Sequence, residues 1–398
     1  MAGPLAGVKV LDLTTVFMGP LATMAMADIG ADIIKVESPE GDMMRYIGPN
    51  RHRDMSALYL GLNSNKRSVA LDLKKPEGRA ALLKMAETAD VLLYNIRPAS
   101  MARLGLGYEA VREANPKIIY CGAYGFGEGG PYAGKPAYDD LIQGASGVGW
   151  LTEQMMGKPG YSAFALADHL TGMSVVYCIT AALYHREKTG EGQSIEVPMF
   201  ESMTHATMSH HLWGRQFEPP LAPAGYPRQL APNRKPYKTK EGYLCTVIIT
   251  DQHWSKFFTM AGCPEHIADP RFKDTASRAN NVKILYKLLE DILATRTLDE
   301  WMPLFEKADI PALPMQSPET LLADPHLKSV GLFETIEHPT EGPLVTMHEP
   351  TNWSVTKPDR TRRHAPNLGE HTVEVLREFG LPQAEVDALI AGRAAVQK

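Results

Sequence analysis

The chain has 398 residues, 44% of them apolar and 22% charged, and carries a formal net charge of −5. That length and composition exclude a disulfide-stapled miniprotein or a disordered chain and leave room for two globular domains. The acidic balance disfavours nucleic-acid and anionic-membrane partners. Cys121, Cys178, Cys245 and Cys263 form no CxxC pair, so they read as reduced thiols of a cytoplasmic protein.

Val8 to Leu13 (VKVLDL) predicts a strand, with no basic-plus-apolar leader before it. Gly19-Pro20 opens a helix that stops at Gly30, and Asp32 to Glu37 (DIIKVE) forms the next strand, giving one right-handed β-α-β unit. The pattern repeats through a strand at Arg67–Leu73, a helix at Pro76–Ala89 and a strand at Val91–Asn95. Short helices from Pro98 and over Tyr108–Ala114 lead to a strand at Ile118–Gly122. Such alternation predicts a doubly wound parallel sheet with ligands at the C-terminal ends of its strands. The first turn, TTVFMGP, lacks GxGxxG, and no GxxxxGK[ST] loop occurs, so dinucleotide binding and nucleotide hydrolysis have no support.

The segment Tyr161–Phe200 organises the rest. A helix is expected from Asp168 through Leu183, apolar on nearly every face and therefore in the core, too short and interrupted to span a bilayer. A strand follows at Gln193–Pro198. Asp168 reads either as the helix N-cap or as a carboxylate nucleophile or base in a partly apolar pocket. His205, His210 and His211 have no acidic ligand at useful spacing and predict no metal site.

Glu218–Lys240 is rich in proline and basic residues, a linker composition. A strand at Gly242–Thr250 and helices at Asp251–Ala261, Ala276–Thr295 and Leu298–Ala308 make a smaller α+β domain. From Ile310 the chain resumes with Ser317 capping Pro318–Ala323, a hairpin around Glu341-Gly342, and two terminal helices split at Gly380-Leu381-Pro382. The expected division is 1–200 for the first part of the large domain, 201–240 for the linker, 241–309 for the small domain and 310–398 for the return segment.

With these elements placed, the words GADIIKVESPEGD, NKRSVALDLKKPEG, ADVLLYNIRP, KPAYDDLIQGASG, ALADHLTG and KTGEGQSIEVPMFE, in this order, resemble the class III CoA-transferases. That group holds formyl-CoA transferases, carnitine CoA-transferases and 2-methylacyl-CoA racemases. The resemblance implies a Rossmann-like domain built from both chain ends, a smaller α+β domain, and an interlocked homodimer. It makes Asp168 the catalytic aspartate. Val16, Phe17, Leu71, Lys74, Asn95, Ile96, Arg97, Arg103, Lys135 and Tyr138 match CoA-contacting positions. Acyl-CoA and a carboxylic acid are the implied partners, with no cofactor beyond the CoA carried by the substrate and no metal.

The implied chemistry moves CoA through an aspartyl anhydride and an aspartyl-CoA thioester. The glycine amides of GAYGFGEGG either stabilise the oxyanions or belong to a surface loop. Where the formyl-CoA enzymes have an arginine, a glutamine and a glycine-run loop, this chain has Ser38, Phe17 and no counterpart between Pro227 and Thr250. Oxalate therefore fits less well than a larger or less polar acid. The alternative is a racemase or epimerase abstracting a C2 proton. Its second base is a histidine in a Gly-His-Asp-like word, where this chain reads Ala137-Tyr138-Asp139. A phenol with a reference pKa of about 10 is a poor base at neutral pH, which favours transfer.

Overall fold

A computed structural model describes residues 2–359 and 362–398 of the chain. The large unit comprises residues up to Ser146, Ser162–His205 and Pro325–Lys398. Its sheet is built from β1 (Lys9–Leu13), β2 (Asp32–Glu37), β3 (Lys66–Leu71), β4 (Val91–Tyr94), β5 (Ile119–Tyr124) and β6 (Gln193–Pro198). The order is β3-β2-β1-β4-β5-β6, all parallel, with β12 (Ala395–Val396) added antiparallel beside β3. The chain thus runs outward from β1 in one direction and from β4 in the other. The crevice where such an order reverses lies beyond the carboxyl ends of those two strands. The antiparallel edge from the C-terminus was not expected from the sequence, because two residues carry no readable period.

Strands β2 (DIIKVE) and β3 (KRSVAL) are buried at every position despite five ionisable residues. Each charge has a partner, as burial demands. Arg67 bonds Asp32, Lys35 bonds Asp42 at 3.0 Å and Lys66 bonds Asp12 at 3.3 Å. Arg45 grips Glu37 with two bonds of 2.8 and 2.7 Å. Burial alone would raise the Glu37 carboxyl, but the Arg45 fork overrides it and holds the group at about 2. The apolar core around these strands includes Leu11, Ile34, Val69, Leu92, Val375 and Leu376, so both ends of the chain build it.

The helix Leu166–Thr189 is longer than expected, ending at Gly190 with φ of 78°. It is also less of a core helix. Val175 and Ile179 are fully buried, whereas Met173, Tyr177 and Tyr184 on the opposite face are 53%, 64% and 67% exposed. With 24 residues, it is long and apolar enough to cross a membrane by length and composition alone, so the sequence argument from shortness fails. Its buried face packs on the helix Met18–Asp28, where a Cβ at Gly172 would fall 2.8 Å from the Met18 carbonyl oxygen. Only glycine permits that approach.

The second unit contains 147–161 and 206–324. Its core gathers Trp254, Phe257, Phe258, Leu285, Leu289, Trp301 and Phe305. Strands β7 (Tyr237–Lys238), β8 (Tyr243–Thr246) and β9 (Ala312–Pro314) form its antiparallel sheet. Pairing of β9 with β8 keeps 310–324 in this unit, so the expected return at 310 is corrected to Pro325. The expected strand over 242–250 is only β8, and the expected 276–295 helix breaks at Asn281 into Thr275–Asn280 and Val282–Leu293. The segment 201–240 is not simply a linker, since the helix Met199–His211 occupies its start. Here His210 is exposed and His211 is buried, its Nδ1 accepting the Tyr226 amide at 3.1 Å. In the large unit, β10 (Phe333–His338) and β11 (Gly342–Met347) pair as the expected hairpin.

Candidate active site

Asp168 sits in the first turn of its helix, and the N-cap is Ala165. The N-cap reading is therefore wrong for Asp168. Capping comes from another element. Asp139 Oδ1 accepts the amides of Ala167 at 2.7 Å and Asp168 at 3.1 Å. Asp139 opens the helix Asp139–Ala145, and its other oxygen accepts from Gln143 Nε2. Gln143 is fully buried and accepts the Ser162 amide at 2.8 Å, which ties down the approach to the Asp168 helix.

The half-buried Asp168 carboxyl is pushed up to about 7, first by burial and then by the negative charge of Asp139. An acid poised near neutrality in a cleft is a functional-site signature. Asp139 was present in the Ala137-Tyr138-Asp139 word, but sequence comparison drew attention to Tyr138. No spacing signal links residues 29 apart.

His169, next to Asp168, donates its Nδ1–H to the Ala165 carbonyl at 2.8 Å, since a carbonyl only accepts. Its ring lies between Phe17 and Phe164, with centroid distances of 5.0 and 5.5 Å. Phe17 is the N-cap of the Met18–Asp28 helix. The loop after β1 therefore meets the Asp168 helix directly.

The CoA-matching residues divide into three groups. Val16 and Asn95 are brought together through Thr15: Asn95 Oδ1 accepts the Thr15 amide at 3.0 Å and Nδ2 donates to the Thr15 carbonyl at 2.7 Å. Asn95 thus shapes the crevice with its side chain instead of presenting that side chain as a simple ligand. Leu71 is fully buried and paired with Ala395, so its side chain is in the core. Ile96 is half-buried and packs at the edge of the same core.

The cations form the second group. Arg97 Nη1 donates to the Gly134 carbonyl at 3.4 Å, and Lys135 Nζ lies 4.2 Å from the centroid of Tyr132. Arg103 donates to Ser100 Oγ at 2.9 Å, and Lys74 follows β3 on an exposed turn. None of these four exposed cations has an ion-pair partner among the described residues. Lys74 follows β3, Arg97 follows β4, Arg103 closes the short helix Pro98–Arg103 after it, and Lys135 lies in the segment after β5. Tyr138 stands apart as the N-cap of the Asp139–Ala145 helix, 70% exposed.

The glycine run offers fewer oxyanion donors than its sequence promised. Gly127 N donates to Glu201 Oε1 at 3.1 Å, and Glu128 N donates to Glu196 at 3.2 Å. Carboxylates of the same chain already occupy those two amides.

Asp168, pushed toward neutrality, and four cations without an ion-pair partner among the described residues make up the candidate site. The CoA-transferase family III pattern fits residues 5–372. The chain belongs to CoA-transferase family III. It is 33% identical to the succinyl-CoA:glutarate CoA-transferase of Homo sapiens, an alignment covering 94% of this chain and 86% of that one. It is also 33% identical to the formyl-CoA:oxalate CoA-transferase of Escherichia coli, across 98% and 99% of the two chains. A solved CAIB/BAIF family protein from Brucella suis superposes with a TM-score of 0.80 at 30% identity, covering 95% of this chain and 100% of that one. This family III CoA-transferase therefore places its half-buried Asp168 at the start of a long helix, with a second acid as that helix's cap.

Proposed function

We propose that the enzyme moves CoA from an acyl-CoA donor to a free carboxylic acid with Asp168 as covalent relay. The Asp168 carboxylate attacks the thioester carbonyl, the C–S bond breaks, and CoA leaves as thiolate from an acyl-aspartyl anhydride. The thiolate attacks the aspartyl carbonyl of that anhydride, giving aspartyl-CoA thioester and the first acid as carboxylate. The acceptor carboxylate attacks this thioester, CoA thiolate leaves again, and it then takes the acceptor acyl group from the mixed anhydride, freeing Asp168. No net proton is needed. The observation that carries this reading is the half-buried Asp168 in the first turn of its helix, with Asp139 capping that helix beside it: burial limits its hydration, so its anion is a better nucleophile than a solvated carboxylate.

Lys74, Arg97, Arg103 and Lys135 serve the phosphates of CoA by charge and hydrogen bonding. Phe17 against His169 places rings instead of an amide beside Asp168, which suits an acid longer or less polar than oxalate. The relatives named for glutarate make a short dicarboxylic acid the first to test. No cofactor beyond substrate-borne CoA is required. The exposed Met173, Tyr177 and Tyr184 face is the kind of surface an interlocked homodimer would cover, and a cytoplasmic setting suits four free thiols.

The test is purified enzyme with succinyl-CoA or formyl-CoA and a panel of acids from oxalate to glutarate, with the CoA esters and the intact protein read by mass spectrometry. New CoA esters together with a CoA adduct on Asp168 support the reading. A racemised donor without transfer refutes it.

A further inference from the structure

The loop that leads from β1 to Phe17 adopts a conformation its sequence resists. Val16 has φ of 70°, and it is the only β-branched residue with positive φ among the described residues. A β-branched side chain stays in the left-handed region only where its surroundings impose it.

Buried side chains impose it here. Lys35 Nζ donates to the Thr14 carbonyl at 3.0 Å, and Asp42 Oδ1 accepts the Val16 amide at 3.2 Å. Lys35 and Asp42 are themselves an ion pair at 3.0 Å, with both side chains fully buried. Asp42 is fixed in turn, its amide donating to Glu37 Oε1 at 3.0 Å and its Oδ1 accepting the Met44 amide at 3.0 Å. On the far side of Val16, Phe17 rests its ring 5.0 Å from that of His169, the neighbour of Asp168.

A buried ion pair is a poor device for stability, since apolar residues of like volume often do as well or better. This one is aimed at the two backbone groups on either side of Thr15, the second being the amide of Val16 itself, and the conformation it leads into opposes folding. We infer that Lys35 and Asp42 are positioning residues: they clamp Val16 in its left-handed conformation so that Phe17 holds the ring wall beside Asp168. The inference rests on Asp168 being the covalent relay.

Glycine adopts the left-handed conformation without strain, which supplies the test. Lys35→Met/Asp42→Ala removes the clamp without leaving a buried charge alone, and turnover is expected to fall about tenfold or more. Adding Val16→Gly to that variant should restore most of the lost turnover, because the loop then needs no clamp. A purely structural role for the pair would show in the melting temperature and would not be relieved at position 16. If the double variant does not fold, Lys35→Met/Asp42→Ser with and without Val16→Gly is read the same way, since serine still caps the Met44 amide and no buried charge is left alone. Unchanged turnover in a folded clamp variant, or a loss that Val16→Gly leaves in place, overturns the inference. The wild-type enzyme in the same acid panel separates the two ideas. Silence there refutes the relay on which the inference rests, whereas wild-type turnover with an unaffected clamp variant refutes the inference alone.

Discussion

Asp139 accepts the backbone amide of Asp168 at 3.1 Å while its charge bears on the Asp168 carboxyl. One acid thus fixes the helix that carries the other and also discourages that other from ionising. The two effects separate in Asp139→Asn, whose amide oxygen still accepts the Ala167 and Asp168 amides but brings no charge. The proposed relay needs the Asp168 anion, so turnover should rise with pH through an apparent pKa near the value of about 7 and level off above it. In Asp139→Asn the limb should move to lower pH, with turnover on the plateau retained. A pH–rate profile of both enzymes checks this, and a limb that stays in place would assign it to another group.

Asp168 itself carries a stability consequence. Its carboxyl titrates near 3.8 when unfolded and near 7 when folded. Between those values the folded chain holds a proton the unfolded chain has lost. The contribution is therefore complete below about pH 3.8 and is lost as pH rises through 7. Asp168→Asn keeps a neutral side chain at every pH. It should abolish transfer, and its melting temperature relative to wild type should climb from pH 5 to pH 8. Asp168→Ala should be equally inactive and still bind CoA. Near wild-type transfer by the alanine variant would end the relay mechanism.

Much of this architecture was legible in the sequence because parallel strands buried on both faces leave nearly continuous apolar runs between helices. VKVLDL and VLLYN announced themselves in that way, whereas DIIKVE stood out by its β-branched residues between the turn at Gly30 and the Pro39 that follows it. Asp168 was legible as one of two things, and only coordinates showed Ala165 as the cap and Asp139 as its distant substitute. The pairing of Lys35 with Asp42, or Asn95 with Thr15, leaves no local pattern, since the partners meet through the fold and not through a spacing. Boundaries failed for a similar reason: nothing in Ala312–Pro314 says that it pairs back to β8.

The cations after the strand ends make a third prediction. Lys74→Ala, Arg97→Ala, Arg103→Ala and Lys135→Ala should each raise KM for the acyl-CoA donor and leave kcat close to wild type. A phosphate contact used equally in ground and transition states has that signature. Removing a hydrogen bond to a charged group costs about 1.5–3 kcal/mol, or roughly ten- to hundredfold in KM. Asn95→Ala should behave differently, lowering kcat, because it releases both backbone groups of Thr15. Steady-state kinetics on the five variants separates ligands from loop-holders, and an unchanged KM in all four cation variants would place the CoA site elsewhere.

The last prediction turns on Tyr138. Inversion at C2 takes a proton from one face of the acyl-CoA and returns it to the other, so racemisation needs a second base opposite Asp168. The residue in the matching word is a phenol, 70% exposed and standing at the start of the Asp139–Ala145 helix. A phenol, with a reference pKa of about 10, is a poor base at neutral pH. Tyr138→Phe should consequently retain transfer, losing no more than one hydrogen bond worth about 0.5–1.5 kcal/mol. Wild-type enzyme given a 2-methylacyl-CoA in D2O, with no acceptor acid, should incorporate deuterium at C2 no faster than buffer does. Incorporation with loss of stereochemistry would make the protein a racemase, and its persistence in Tyr138→Phe would show that the second base lies on another residue.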